Sequence, residues 1–280
     1  SIAIKIPFVL YLIHAIKKTW KKLALGLIIT LGLVSLSMIQ SRASFVAVGL
    51  IVFAYTVLQS VLFYNENKKK KHLYTIAYLL VPLFLAILVN QTFLSSKGAD
   101  AISRAATISV STSDSSINQR LRYYQDVITH FSSNPFFGAG LGNWKLKSID
   151  YDKNDINGYV VPYHAHSDFI QLGAELGIIG FLLYLGVFIW AVYYVYRLIR
   201  YSKLTLDEKV FLFLIITSLG VYSIDANLNF PIARPQVLVV WALILALITG
   251  FYQKQQNKTL MLKPSVKLSF VFLALALLLN

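Results

Sequence analysis

The chain has 280 residues, 57% of them hydrophobic, and a mean hydropathy of +0.63. Soluble domains contain about 45–50% apolar residues, so this composition excludes an ordinary soluble protein and indicates an integral membrane protein. There is no cysteine, which excludes disulfides and thiolate chemistry. The sequence starts at Ser1 and ends within an apolar run, and we therefore expect it to be part of a longer chain with further helices at both ends.

The net charge of +14 is unevenly distributed along the sequence. Nucleic-acid-binding proteins are also basic, but here most basic residues stand in blocks between apolar runs: Lys17, Lys18, Lys21, Lys22; Lys68, Lys69, Lys70, Lys71; Arg197, Arg200, Lys203, Lys209; Lys254, Lys258, Lys263, Lys267. The long polar segment 95–168 is balanced in charge instead. Such blocks mark the cytoplasmic side of a membrane protein, and we expect no nucleic-acid partner.

Apolar runs alternate with these blocks in chain order. Residues 2–16 resemble the end of a span, and residues 23–40 form an uncharged run that can cross a hydrocarbon core of about 30 Å. Further spans are expected at residues 45–64, 73–93, 169–196, 210–224 and 236–252, with a last one starting near Leu268. Since every second connection is basic, segment 95–168 must be external. The sequence thus predicts an all-α polytopic membrane protein, a transmembrane helix bundle forming one domain over residues 1–280 with one long external loop.

The external loop has two parts. Residues 95–116 are rich in Ser, Thr and Ala without a hydrophobic period, which predicts a mobile or loosely helical segment. Residues 118–133 have apolar side chains at three- and four-residue steps, which predicts an amphipathic helix at the outer interface, with Leu121, Tyr124, Val127, Ile128 and Phe131 on its apolar face. We expect Pro135 to end this helix.

Three external arginines are candidates for an anion site. Arg42 is the only charged residue between positions 23 and 64, although outer loops normally contain few arginines. A guanidinium group suits phosphate oxygens, but Arg42 could equally snorkel to lipid headgroups. Arg122 can pair with Asp126 one helical turn later. Arg120 has no acidic partner at that spacing, so it is freer to bind an external anion or a headgroup.

The glycine-rich run from Gly138 to Gly142 resembles a phosphate-binding loop. No strand is expected before it and no Lys-Ser/Thr pair follows, so it fails the requirements of a nucleotide-binding loop. We expect a tight backbone turn that brings the external loop back against the membrane.

Two histidines and an aspartate, His164, His166 and Asp168, stand where the external loop meets the next span. They could ligate a metal, but no third histidine or cysteine is near. His166 could instead act as a base, because the positive end of a helix favours neutral imidazole, or it could merely cap the helix. Deeper in the span, Gln171 precedes Glu175, an ionisable group that at such depth is either functional or partnered. We favour a structural partner, an arginine or a helix end, over a catalytic role. Asp225, Asn229 and Arg234, at the same outer surface, could complete a site.

Several stretches, in this order, resemble the domain shared by O-antigen ligases and O-antigen polymerases, a family also related to bacterial protein O-oligosaccharyltransferases. They are Gln40-Ser41-Arg42-Ala43, Arg120 with Tyr124, Asn134-Pro135-Phe136-Phe137-Gly138-Ala139-Gly140-Leu141-Gly142-Asn143-Trp144, His164-Ala165-His166-Ser167-Asp168-Phe169-Ile170-Gln171 and Glu175-Leu176-Gly177-Ile178-Ile179-Gly180. Two positions depart from the family pattern: Ser167 replaces a common Asn, and Tyr124 replaces a common Trp.

The resemblance implies an inverting, metal-independent glycosyltransferase in the bacterial inner membrane, with no cofactor and with its site on the periplasmic side. The donor would be a glycan on undecaprenyl pyrophosphate. The acceptor would be lipid A–core, a growing glycan or a protein hydroxyl. Arg42 and Arg120 would hold the pyrophosphate, and His166 would activate the acceptor. We expect three further residues to contact substrate: Arg122, His164 and Arg234.

Two functions of other classes compete with this one. A flippase or transporter for lipid-linked glycans needs ionisable residues along a path through the membrane, whereas spans 23–40, 45–64 and 73–93 have no charge between their end residues. A structural subunit would require none of Arg42, Arg120 and His166. The sequence therefore favours transfer chemistry at the outer surface.

Overall fold

The computed structural model describes residues 2–65, 69–94, 102–103, 115–152 and 163–255. These residues form helices joined by turns, with no strand among them. The main helices are α1 (Ile6–Ala15), α2 (Thr19–Ile39), α3 (Arg42–Asn65), α4 (Lys69–Val89), α5 (Ser115–Ser133), α6 (Trp144–Asp152), α7 (Asp168–Tyr201), α8 (Leu206–Leu228) and α9 (Pro235–Gln255). Six of them, α2, α3, α4, α7, α8 and α9, are long and apolar enough to cross a membrane. The predicted all-α polytopic bundle is confirmed. The span expected near Leu268 lies outside the described residues.

Side-chain contacts give the directions of the first three spans. Asn90, just beyond α4, donates from Nδ2 to the hydroxyl of Ser37 near the end of α2, at 3.2 Å. Lys22, near the start of α2, lies 5.9 Å from the ring centre of Tyr78 in α4. Hence α2 and α4 run parallel to each other, with α3 returning between them in sequence. This is the alternation that the basic blocks predicted.

Two ends of the bundle can therefore be distinguished. At one end, His14 Nε2 lies 3.1 Å from Asp207 Oδ1, and Lys254 Nζ lies 3.8 Å from Glu208 Oε1. We name it the Asp207 end. The basic residues that begin α2 and α4 and end α7 lie there. The opposite end, where α7 begins, is named the His166 end.

Some predicted spans differ in length from the observed helices. Helix α8 starts at Leu206, earlier than predicted, because Thr205 and Glu208 form a capping box that extends the helix into polar sequence. Helix α1 has only 10 residues after a short 3₁₀ turn, too few to cross a bilayer. Helix α8 is also the most buried of the six spans, because it packs against α1, α3, α7 and α9. Of the residues in its most apolar stretch, 61% are buried.

The predicted amphipathic helix is confirmed as α5, but the side that it buries is only partly the expected one. Tyr123, Val127 and His130 are buried, whereas Leu121 and Ile128 are exposed. The buried side packs on α7 and on α6, where His130 Nδ1 lies 3.0 Å from the Tyr151 hydroxyl. Contacts with other helices, rather than hydrophobic periodicity alone, thus select the buried face.

Candidate active site

The segment before α7 holds His166 in an unusual backbone conformation. Its φ is +55°, in the left-handed region that few non-glycine residues adopt. Ser167 follows in extended conformation, and its hydroxyl caps α7 by accepting from the Ile170 amide. The cap and the left-handed residue together turn the chain sharply, so the His166 ring lies against α5.

A chain of hydrogen bonds ties this segment to the interior of α7. Gln171 Oε1 accepts from the Ala165 amide at 3.2 Å and lies 3.3 Å from His164 Nδ1. Gln171 Nε2 donates to Glu175 Oε1 at 3.0 Å, and Glu175 Oε2 accepts from the Gly142 amide at 2.9 Å. Glu175 is therefore a structural group, and its partners are an amide side chain and a backbone N–H.

Helix α7 is broken at Gly177, where φ is +65° and ψ is −164°. Residues 134–142, named here the glycine loop, dock at the break. The amides of Ala139 and Gly140 donate to the carbonyl groups of Ala174 and Glu175 at 2.9 and 2.8 Å. The glycine run is thus a tight turn, which satisfies carbonyls that a continuous helix would have used itself. The span predicted over 169–196 is present, and it contains a break at Gly177 that the sequence did not indicate.

The His166 ring is enclosed by aromatic side chains. It stacks on Tyr123 of α5 with ring centres 6.0 Å apart and meets the Phe230 ring edge-on at 5.4 Å. His166 Nδ1 is buried without a hydrogen-bond partner among the described residues, which leaves Nε2 as the nitrogen that a substrate can reach. Burial lowers the pKa of His166, and the neighbouring Arg120 and His164 lower it further. The ring is therefore neutral at pH 7.

Tyr124 connects α5 to both sides of the site. Its hydroxyl lies 3.4 Å from the His166 carbonyl oxygen and 3.3 Å from that of Asn227, to which it donates. Burial raises the pKa of Tyr124, and the positive charge of Arg120 opposes this rise. Arg120 lies one helical turn before Tyr123 and Tyr124, so it shares the face of α5 that contacts His166.

The turn between α8 and α9 contributes the remaining side of the site. The Phe230 ring stacks on His164 with ring centres 4.1 Å apart, and the Arg234 guanidinium lies 4.9 Å from the Phe230 ring centre. Asp168, which is fully buried, accepts from the Ile232 amide at 2.9 Å and so fixes the turn to α7. The predicted residues His164, His166 and Arg234 are thereby brought together around Phe230.

Arg42 opens α3 at the His166 end. Leu50 of α3 packs against Gly220 of the antiparallel α8. Arg42 lies eight residues before Leu50, and Leu228 lies eight residues after Gly220. Because the two helices are antiparallel, Arg42 and Leu228 lie at about the same level along the bundle axis. The other predicted arginine, Arg122, is exposed on α5. The predicted residues thus share one end of the bundle, with Arg120, His164, His166 and Arg234 grouped most closely.

Sequence reasoning missed Tyr123 and Phe230. Tyr123 follows Arg120 by one helical turn, a spacing that puts both on one face of α5 and could have indicated its role. Phe230 contacts His164, His166 and Arg234, but the two histidines lie far away in sequence, and no local pattern links them to Phe230. Within the described ranges no group of three or more His, Asp or Glu side chains could hold a metal ion.

Comparison with known proteins agrees with this geometry. No curated protein and no solved structure matches the chain. A family model described as O-antigen ligase matches residues 27–185, which is more than half of the chain and includes Arg42, Arg120, His164 and His166. The chain therefore belongs to the O-antigen ligase family, and it is a multi-pass membrane glycosyltransferase of the ligase or polymerase type.

Proposed function

We propose that the chain transfers a glycan from undecaprenyl pyrophosphate to an acceptor hydroxyl at the periplasmic face of the bacterial inner membrane, as an O-antigen ligase does with lipid A–core. The observation that carries this proposal is the position of the His166 ring between Tyr123 and Phe230, at the bundle end opposite the basic blocks. A polyprenyl donor keeps its tail in lipid while its sugar reaches water. Its reacting bond therefore lies at such a boundary.

His166 is proposed as the general base. Its reachable Nε2 takes the proton of the acceptor hydroxyl, and the hydroxyl oxygen then attacks the anomeric carbon of the donor sugar. The bond from that carbon to the pyrophosphate oxygen breaks as the new bond forms on the opposite face. The configuration at the anomeric carbon is inverted, and pyrophosphate leaves on the lipid.

Arg42 and Arg120 are proposed to hold the pyrophosphate. Negative charge develops on the leaving group in the transition state, and fixed guanidinium groups stabilise it without a metal ion. Arg120 shares a face of α5 with Tyr123, whose ring stacks on His166, and Arg42 opens α3 at the same end of the bundle. The same positive charge keeps the base neutral, because it disfavours imidazolium.

Three further residues are proposed to bind substrate. His164 and Arg234 lie on Phe230, where flat ring faces and a cation suit the apolar faces and hydroxyls of a sugar. Arg122 is exposed on α5 and can reach an anionic group farther from the membrane. These residues would select the glycan, whereas His166 acts on the acceptor.

Replacement of the base tests the mechanism. We expect His166→Ala to lower transfer from a lipid-linked donor by about 10²–10⁴-fold, the usual contribution of a general base, with the protein still in the membrane. Arg42→Ala and Arg120→Ala should also abolish transfer. Lys147→Ala, which removes an exposed cation of α6, is the control and should transfer normally. Full transfer by His166→Ala would refute the mechanism.

Metal independence and the acceptor need separate tests. A chelator should leave transfer intact, and a loss restored by added divalent metal would contradict the proposal. Deletion of the gene identifies the acceptor: loss of capped lipopolysaccharide indicates a ligase, loss of long polymer a polymerase, and loss of glycoprotein a protein O-oligosaccharyltransferase.

A further inference from the structure

The glycine loop lies beside α7, below the first residues of that span. The carbonyl oxygen of Phe136 is so close to Gly177 that a Cβ there would lie 2.2 Å from it. The Ile178 amide donates to the Pro135 carbonyl oxygen at 2.8 Å. The loop is thus held against α7 from Ala174 to Ile178, well inside the helix that begins at Asp168.

The depth of this contact follows from the aromatic residues at the other end of α7. Trp190, Tyr193 and Tyr196 are exposed, as aromatic side chains at a membrane boundary are. An apolar layer of about 30 Å takes about 20 helical residues, so it reaches back from them to between Ile170 and Leu176. Gly177 then lies inside the layer, by up to about 10 Å at about 1.5 Å per residue.

Large apolar side chains of the loop point away from the protein at that depth. Phe136, Phe137 and Leu141 are 62%, 80% and 69% exposed. The neighbouring α7 also exposes large apolar side chains within the span, those of Ile179, Leu182 and Leu183. Exposure of such an apolar cluster to water is unfavourable in free energy, whereas its contact with lipid acyl chains is not.

We propose that the glycine loop is a re-entrant segment whose Phe136, Phe137 and Leu141 side chains insert among lipid acyl chains just below the headgroups. Backbone groups at such depth need partners within the protein. The loop provides them: the amides of Ala139 and Gly140 bond to α7, and the Gly142 amide bonds to Glu175. This inference concerns the membrane contact alone and is independent of the role of His166.

Single-cysteine variants test the proposal directly, because the chain has no cysteine of its own. Spin labels on Phe137→Cys and Leu141→Cys, in the full chain reconstituted into phosphatidylcholine vesicles, report collisions with oxygen, which concentrates in lipid, and with a nickel chelate, which stays in water. Leu183→Cys, exposed in the middle of a span, is the lipid control. Lys147→Cys, at an exposed charged position of α6, is the water control.

We expect both loop labels to collide more with oxygen than with the nickel chelate, as the Leu183→Cys label does. Labels that collide mainly with the chelate, as at Lys147→Cys, would place the loop in water and overturn the proposal. Immobile labels that neither reagent reaches would show a protein cover, from another segment or a second copy, and would overturn it as well. Normal thermal unfolding of each variant establishes that it is folded.

Discussion

Replacement of Gly177 by alanine should expel the glycine loop from α7. The Gly177 backbone, at φ +65° and ψ −164°, lies in a region that is essentially reserved for glycine. An alanine Cβ would lie 2.2 Å from the Phe136 oxygen and 2.3 Å from the Phe136 carbonyl carbon, both of them backbone atoms. The substitution therefore requires either the backbone of α7 or the loop to move.

The cost can be worked out from these contacts. Backbone strain at such a residue is about 1–3 kcal/mol. Displacement of the loop also breaks the backbone bonds from the Ala139 and Gly140 amides to α7 and from the Ile178 amide to Pro135, each worth about 1 kcal/mol. We therefore expect a destabilisation of about 4–6 kcal/mol, which lowers the melting temperature of a chain of this size by on the order of 10 °C.

Thermal unfolding in detergent, followed by tryptophan fluorescence, measures this loss. Trp144 is buried beside the loop and reports its release. Gly186→Ala is the matched control, since it lies in the same helix and a Cβ there meets nothing within 4 Å. Helix propensity predicts that this control is unchanged or stabilised by up to about 1 kcal/mol. Equal melting temperatures for the two variants would contradict the docking of the glycine loop at the Gly177 break in α7.

Two further predictions concern the site. Burial, Arg120 and His164 lower the pKa of His166, and only the neutral ring accepts a proton, so the transfer rate should fall only below the ordinary histidine pKa of about 6.5. His164→Gln should move this acidic fall in rate to higher pH. A pH–rate profile whose acidic fall lies above about pH 6.5 would contradict the prediction. Glu175→Gln should lower the free energy of unfolding by about 1–3 kcal/mol, because the side-chain amide cannot accept from both the Gly142 amide and Gln171 Nε2. Asp150→Asn, on the exposed side of α6, is the control in thermal unfolding. Equal stability of the two variants would contradict the chain of hydrogen bonds from Gln171 through Glu175 to Gly142.

Features that depend on a long run or a regular period were predictable from the sequence. The spans and their alternation follow from uncharged apolar runs separated by basic blocks, and α5 follows from its helical period. The buried side of α5 did not follow. Tyr123 and His130 are polar by composition, yet both are buried, because α6 and the segment before α7 supply ring partners that the local sequence does not show.

The break in α7 could not be predicted from its own sequence. Residues 175–180 form an apolar helical pattern, and glycines within spans are common. The break depends on the glycine loop, which precedes α7 by a long stretch of chain and brings amide donors to its carbonyls. The same limitation explains why His166 and Arg120 were found as candidates while Phe230 was not. Charged and titratable residues can be recognised as candidates from the sequence alone. An apolar ring such as Phe230 becomes part of a site only through contacts with residues distant in sequence.

The strained backbone of His166 is explained by these distant contacts. A left-handed non-glycine residue costs about 1–3 kcal/mol and persists only where its surroundings fix it. Here the Ala165 amide bonds to Gln171 on one side, and the Ser167 cap holds α7 on the other. Gln171 depends in turn on Glu175, which accepts from the glycine loop. The position of the proposed base is therefore set at the break in α7, so a change at Gly177 should impair transfer even though it touches neither His166 nor substrate.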